Sequence, residues 1–235
     1  MAPNTKGTKE AKGTKTGSSC KEFVSFAIVV FFVVTCAAPT RAAVIDPELR
    51  VVIRTYDTSA ALGDLSPALA AAAAILEDAG VSATWVKCDV AFVRRDEHPC
   101  LAPLAANELA VRFVRLPPHL AEQDVVTLGD SLIDTRLRAG SLATIYVNRV
   151  ATLAGRCGVD VQTLLARAVA HEIGHLLLGT SAHASSGLMR AAWSQAALRR
   201  AAADHWRFPA ADARAIREAV RARTAQRLAG GKLGR

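Results

Sequence analysis

The sequence predicts an α+β domain in which a twisted mixed sheet packs on helices. Three observations lead there: short segments rich in β-branched residues, an Ala-rich helical run after the first of them, and a long apolar helix around residue 170. Residues 49–56 (LRVVIRTY) suit a strand. Ser66 followed by Pro67 is a helix-start signal, and the Ala-rich run after it stops at Gly80, which predicts a helix over residues 67–79. Residues 81–88 and 108–116 alternate as strands, and Pro117 and Pro118 end the second. A polar stretch with Gly129 and Gly140 leads to a further strand over residues 143–150. A helix is predicted from about residue 159 to residue 178, followed by irregular chain and further helices. No internal repeat is visible.

Of the 235 residues 51% are hydrophobic and 21% charged, which excludes a wholly disordered chain; five Cys are too few for a disulfide-framework miniprotein. Residues 1–22 are polar and Lys-rich and cannot build a core, whereas residues 23–38 run for 16 residues without a charge. Small residues follow, so cleavage is expected after Ala38 or Ala42, and residues 1–43 are read as a secretory signal peptide. An uncleaved signal anchor is the main rival, with the Lys-rich tail inside. A lipid anchor on Cys36 is the other, although Val-Val-Thr before that Cys fits a lipidation box poorly. All three readings export residues 44–235 as one domain, secreted or periplasmic, with membrane contact only through an N-terminal anchor.

Residues 1–43 hold five Lys and one Arg against two Glu, so the net charge of +8 falls to +4 once they are removed. The basic residues do not interleave with aromatics, and no nucleic-acid partner is expected. Outside the cytosol, Cys88 and Cys100 are the expected disulfide, closing a short polar loop and adding roughly 3 kcal/mol in the chain-entropy model. Cys157, between Gly155 and Gly158, is left over.

The chemistry is concentrated later in the chain. Three of the six His and the one internal Met lie between residues 171 and 189. Residues 171–175 read His-Glu-Ile-Gly-His, and i and i+4 share a helix face, so His171 and His175 can aim two imidazoles at one point with Glu172 beside them. Two neutral nitrogens, a third protein ligand and an open position for water are what a catalytic Zn2+ needs, and the adjacent carboxylate suits a general base. The flanking residues are apolar enough for a buried helix, where such polar groups need partners. Gly179 is well placed just past the helix end, His183 stands four residues later, and Ser185, Ser186 and Gly187 form a turn before Leu188 and Met189.

This run resembles the metzincin clan of zincin zinc metallopeptidases, with their His-Glu-x-x-His-x-x-Gly-x-x-His motif and downstream methionine turn. It also resembles small exported predicted zinc proteases. The resemblance implies a zincin-like fold with a long active-site helix, His171, His175 and His183 as metal ligands, Glu172 as catalytic base and Met189 as the floor of the site. It implies a metalloendopeptidase acting on peptides or proteins. The spacing departs from the clan: Gly179 and His183 stand eight and twelve residues after His171, where the clan has about seven and ten.

Glu218 and His205 are rival third ligands, the first without the Asn-Glu context of the other large zincin group, the second in a helix-like segment beside Trp206. By the same resemblance the strand before the motif helix would pair with an extended substrate, so residues 143–148 are expected to line the cleft, with Tyr146 or Asn148 touching substrate. Arg190 and Tyr146 are the nearby oxyanion candidates. The competing function is a zinc-containing binding domain without turnover.

Overall fold

The computed structural model describes residues 46–59, 62–88, 99–117, 127–200 and 203–233. Residues 1–45, which include the expected signal segment, and most of the loop between Cys88 and Cys100 lie outside them. Five strands form one sheet: β1 (Arg50–Asp57), β2 (Ser82–Lys87), β3 (Glu108–Val114), β4 (Gly129–Asp134) and β5 (Ala139–Tyr146). Their order is β2-β1-β3-β5-β4, parallel throughout except for β4, which runs antiparallel to β5 at one edge.

The main core lies on one face of the sheet. Val51, Ile53, Leu109, Val111, Phe113, Ala143 and Ile145 alternate inward along their strands and are closed to solvent. Against them pack α1 (Ser66–Asp78) and α3 (Val161–Leu178), which also pack on each other. The opposite face is covered beside β1 and β3 by the segment after Cys100. There the buried guanidinium of Arg54 donates to the carbonyls of Ala102 (2.6 Å) and Pro103 (3.2 Å) and pairs with Glu108. Cys88 and Cys100 are disulfide-bonded, which ties this segment to the end of β2. Cys157 is a buried free thiol.

Two elements differ from the sequence expectation, and with them the edge a substrate could use. Strand β4 emerges from what reads as a polar stretch, because Gly-Asp-Ser-Leu-Ile-Asp has no clean alternation and few β-formers. Residues 147–150 are not strand but the first turn of α2 (Val147–Cys157). Val147, Val150, Ala154 and Cys157 are its buried residues, spaced three, four and three apart, a helical stripe that β-branched Val disguises locally. Among the described residues the edge strands of the sheet are β2 and β4, and β5 is paired on both sides, so β5 has no unpaired backbone to offer a substrate.

The chain after α3 closes the fold through α4 (Gln195–Leu198), capped by the Ser194 hydroxyl, and α5 (Ala210–Leu233). From α5, Arg223 donates to the carbonyls of Gly140 (2.6 Å), Leu176 (3.3 Å) and Ala106 (3.3 Å), joining the start of β5 to the last turn of α3. Among the described residues no helix is long and apolar enough to cross a membrane.

Candidate metal centre

The site is built on α3. Its N-terminus is capped by the Asp160 carboxylate, which accepts from the Thr163 amide at 2.7 Å, and residues 164–177 are all buried. A helix apolar on every side belongs inside a protein, so any polar residue in it must be matched. Arg167 is matched by the carbonyls of Leu198 (3.0 Å) and Arg200 (3.4 Å), and its guanidinium lies 3.7 Å from the centre of the Trp206 ring. The other buried polar side chains of the helix are His171, Glu172 and His175, at 8%, 7% and 5% exposure.

Both helix histidines are held from behind. His171 Nδ1 lies 2.9 Å from the Leu188 carbonyl, and His175 Nδ1 lies 2.8 Å from the Thr180 carbonyl. A carbonyl oxygen only accepts, so each Nδ1 carries the proton and each Nε2 presents a lone pair. Burial pushes the His171 imidazole down to about 4, opposed by its bond to Leu188 and aided by His175 and His183; burial likewise lowers His175, opposed by its bond to Thr180. The two neutral rings nonetheless bring their Nε2 atoms to 3.0 Å. Two lone pairs at that distance repel unless a cation lies between them.

His183 completes the cluster. Gly179 ends α3 with φ +62°, the left-handed conformation that glycine adopts without strain, and its amide returns to the His175 carbonyl at 2.9 Å. The chain then turns back over the helix, and one ligand nitrogen from each of His171, His175 and His183 lies within 4.8 Å of the others. Three imidazole nitrogens with no carboxylate among them match the donor set of a catalytic zinc with one open position. His183 is exposed, and its ring accepts or donates no hydrogen bond among the described residues. Glu218 is exposed on α5, and the His205 ring faces Arg200 at 3.1 Å; neither joins the cluster.

Met189 lies beneath the helix, 1% exposed. A Cβ at Gly174 would stand 2.6 Å from Met189 Sδ and 2.6 Å from Phe208 Cε1, so the glycine inside the motif is what lets this floor approach. The preceding turn is pinned by Ala184 donating to the Met189 carbonyl (2.8 Å) and Leu188 donating to the Arg207 carbonyl (2.9 Å). The same turn therefore supplies the Leu188 oxygen that orients His171. Trp193 shares that oxygen through its indole nitrogen at 3.3 Å and meets the His171 ring edge to face at 5.5 Å.

Glu172 points to β4. The Ser131 hydroxyl lies 2.7 Å from its carboxylate and 2.9 Å from its own main-chain carbonyl, so one hydroxyl proton serves two acceptors. Burial raises the Glu172 carboxyl to about 7, against the lowering effect of Ser131 and with the help of Asp130. A carboxyl poised near neutrality is suited to taking up and giving back a proton. Ser131 is a residue that sequence reasoning misses, since its strand carries no signal of its own.

A cleft of about 420 Å³ opens in front of these groups. Thr127 to Ser131 and Ile133 form one wall, Arg190 to Trp193 the other, and His171, Glu172, His175 and His183 lie between them. Tyr146 and Asn148 are not in this lining. The Tyr146 hydroxyl donates to Asp130, and burial together with that carboxylate raises the phenol to about 12. Asn148, in the first turn of α2, is used up by the backbone of Leu116, accepting at 3.1 Å and donating at 2.9 Å. Of the two oxyanion candidates, only Arg190 borders the cleft.

No protein-family model matches the chain, and no curated protein matches it. Among solved structures, a zinc-dependent peptidase from Methanocorpusculum labreanum (strain Z) is similar at 15% identity with a TM-score of 0.43, over 70% of this chain and 99% of that one. At that level the reading of the site stands on its own residues.

Proposed function

We propose that this chain is an exported zinc-dependent endopeptidase of metzincin-like design, acting on peptide or protein substrates. One observation carries the proposal: the two facing Nε2 lone pairs of His171 and His175, joined by His183, lie at the bottom of a cleft beside the carboxylate of Glu172. The three histidines would hold the zinc. When bound, it would supply Lewis acidity toward a peptide carbonyl and an acidified water.

The remaining steps belong to the chain. Glu172 accepts a proton from the attacking water and returns it to the departing amine, while Ser131 keeps the carboxylate turned toward the cleft. An extended substrate lies along β4. Tyr146 donates to the Leu128 carbonyl directly across the ladder, so alternate residues from there bond to β5. Gly129 and Ser131 then direct their amide and carbonyl groups outward, past Glu172, where a substrate backbone can pair with them. This moves the substrate strand from residues 143–148 to β4.

Export is supported by the uncharged segment 23–38 and by the disulfide, which persists in oxidising compartments. N-terminal sequencing of the mature protein decides between cleavage after residue 38 or 42 and an uncleaved anchor. For the activity, wild type and Glu172→Ala are compared on a peptide library. We expect about one zinc per chain in both and a loss of roughly 10²- to 10⁴-fold in cleavage for the variant. Cleavage that survives Glu172→Ala removes the mechanism. Zinc without any cleavage by wild type favours the binding-domain reading.

A further inference from the structure

We propose, resting on the peptidase reading, that Arg190 makes the cleft selective for substrates that carry a carboxylate next to the scissile bond. Arg190 directly follows Met189, and its backbone is bridged to Ala184, the neighbour of His183. Its side chain therefore starts beside the histidine cluster and borders the cleft, followed along that wall by Ala191, Ala192 and Trp193.

Three lining residues carry a formal charge: Asp130, Glu172 and Arg190. Asp130 accepts from Tyr146, and Glu172 accepts from Ser131. Arg190 donates through Nε to the Gly187 carbonyl at 3.2 Å, which fixes the plane of the guanidinium. Its Nη2 is buried without a hydrogen-bond partner, and no carboxylate among the described residues pairs with it. With Nε taken by Gly187 and Nη2 closed off from solvent, the accessible Nη1 and the unmatched charge are what the guanidinium presents to a carboxylate. A substrate without that group leaves the donor unsatisfied, so the site discriminates against neutral analogues.

The carboxylate has two sources, an Asp or Glu side chain within a peptide or the free C terminus of a short one. Zinc-loaded wild type is given matched peptides with Glu or Gln at each position around the cleavage point, each with a free or amidated C terminus. We expect kcat/KM to be about 10- to 100-fold higher for the carboxylate member of the decisive pair. A Glu-over-Gln gap assigns the side chain, and a free-over-amidated gap assigns the terminus. Arg190→Gln should abolish the gap, and Arg190→Glu should turn the preference toward Lys at the same position.

Equal rates across all pairs overturn the inference and leave the peptidase reading standing. If wild type cleaves nothing, that reading fails, and fluorescence anisotropy with the same labelled peptides decides the rest: Kd lower for the carboxylate member by the same factor, or equal and the inference gone. The Glu172→Gln protein, zinc-loaded, gives the binding comparison without turnover. Because wild type alone reveals the preference, a misfolded Arg190 variant does not rescue the idea.

Discussion

The helix pair and the loop histidine of the cluster are held in opposite ways. His171 and His175 are buried, and each has its tautomer and ring plane set by a carbonyl of the chain that follows α3. His183 is exposed, on a loop, and its ring is fixed by no hydrogen bond among the described residues. Two histidines are thus preorganised at the cost of repulsion between their lone pairs, and the third is held by no hydrogen bond among the described residues. Such outer partners set ligand orientation and affinity, so affinity should reside mostly in the helix pair, and the loop should govern how firmly the ion is retained.

The largest expected effect tests the helix pair. His171→Ala or His175→Ala should lower bound zinc from about one per chain to almost none, read by metal analysis after dialysis without chelator. Retention of stoichiometric zinc by either variant would remove the cluster as the site. Next in size, His183→Ala should keep zinc at high free metal but weaken it by about tenfold or more in competition with a chelator. Affinity equal to wild type would send the search for a third ligand elsewhere. Wild type should also gain thermal stability on adding zinc, since a ligand that binds only the folded state stabilises it, and His183→Ala should gain less.

A smaller effect probes the floor beneath the pair. Gly174→Ala pushes a methyl into Met189 and Phe208, and overpacking of this kind costs about 1–3 kcal/mol. A melting temperature unchanged from wild type would mean that the floor yields easily. The smallest is Trp193→Phe, which keeps the ring against His171 but removes its bond to the Leu188 carbonyl. It should cost about 1 kcal/mol of stability or less, with zinc stoichiometry intact. Loss of zinc in that variant would show that Leu188 needs both donors to stay in place, and would erase the contrast between a rigid pair and a loose third ligand.

The same contrast marks how much could be read from the sequence. Helix α3, its glycine stop and the spacing of His171, Glu172 and His175 are local properties, carried by a 3.6-residue repeat and a conformational need at one residue. Strands β1, β2 and β3 were likewise readable to within two residues from their β-branched content. Strand β4 was not, because an edge strand needs few apolar residues of its own and takes its place from pairing with β5. Assigning the substrate edge to residues 143–148 followed from that omission. Reading 147–150 as strand had a different cause: Val147 and Val150 satisfy both a strand's composition and a helix's spacing, and only packing of α2 against α3 selects between them.

What the sequence determined by itself is the set of groups: three histidines, a glutamate and a methionine within nineteen residues, and the helix that puts two of those histidines on one face. What only the tertiary structure decided is their surroundings. The Leu188 and Thr180 carbonyls that set the tautomers, the Ser131 hydroxyl on Glu172 and the unmatched Arg190 all come from elements that meet only when the chain folds back over α3. The physical reason is range. Helix spacing acts over four residues, whereas Ser131 and Glu172 stand forty-one residues apart, and their contact depends on how β4 adds to the sheet.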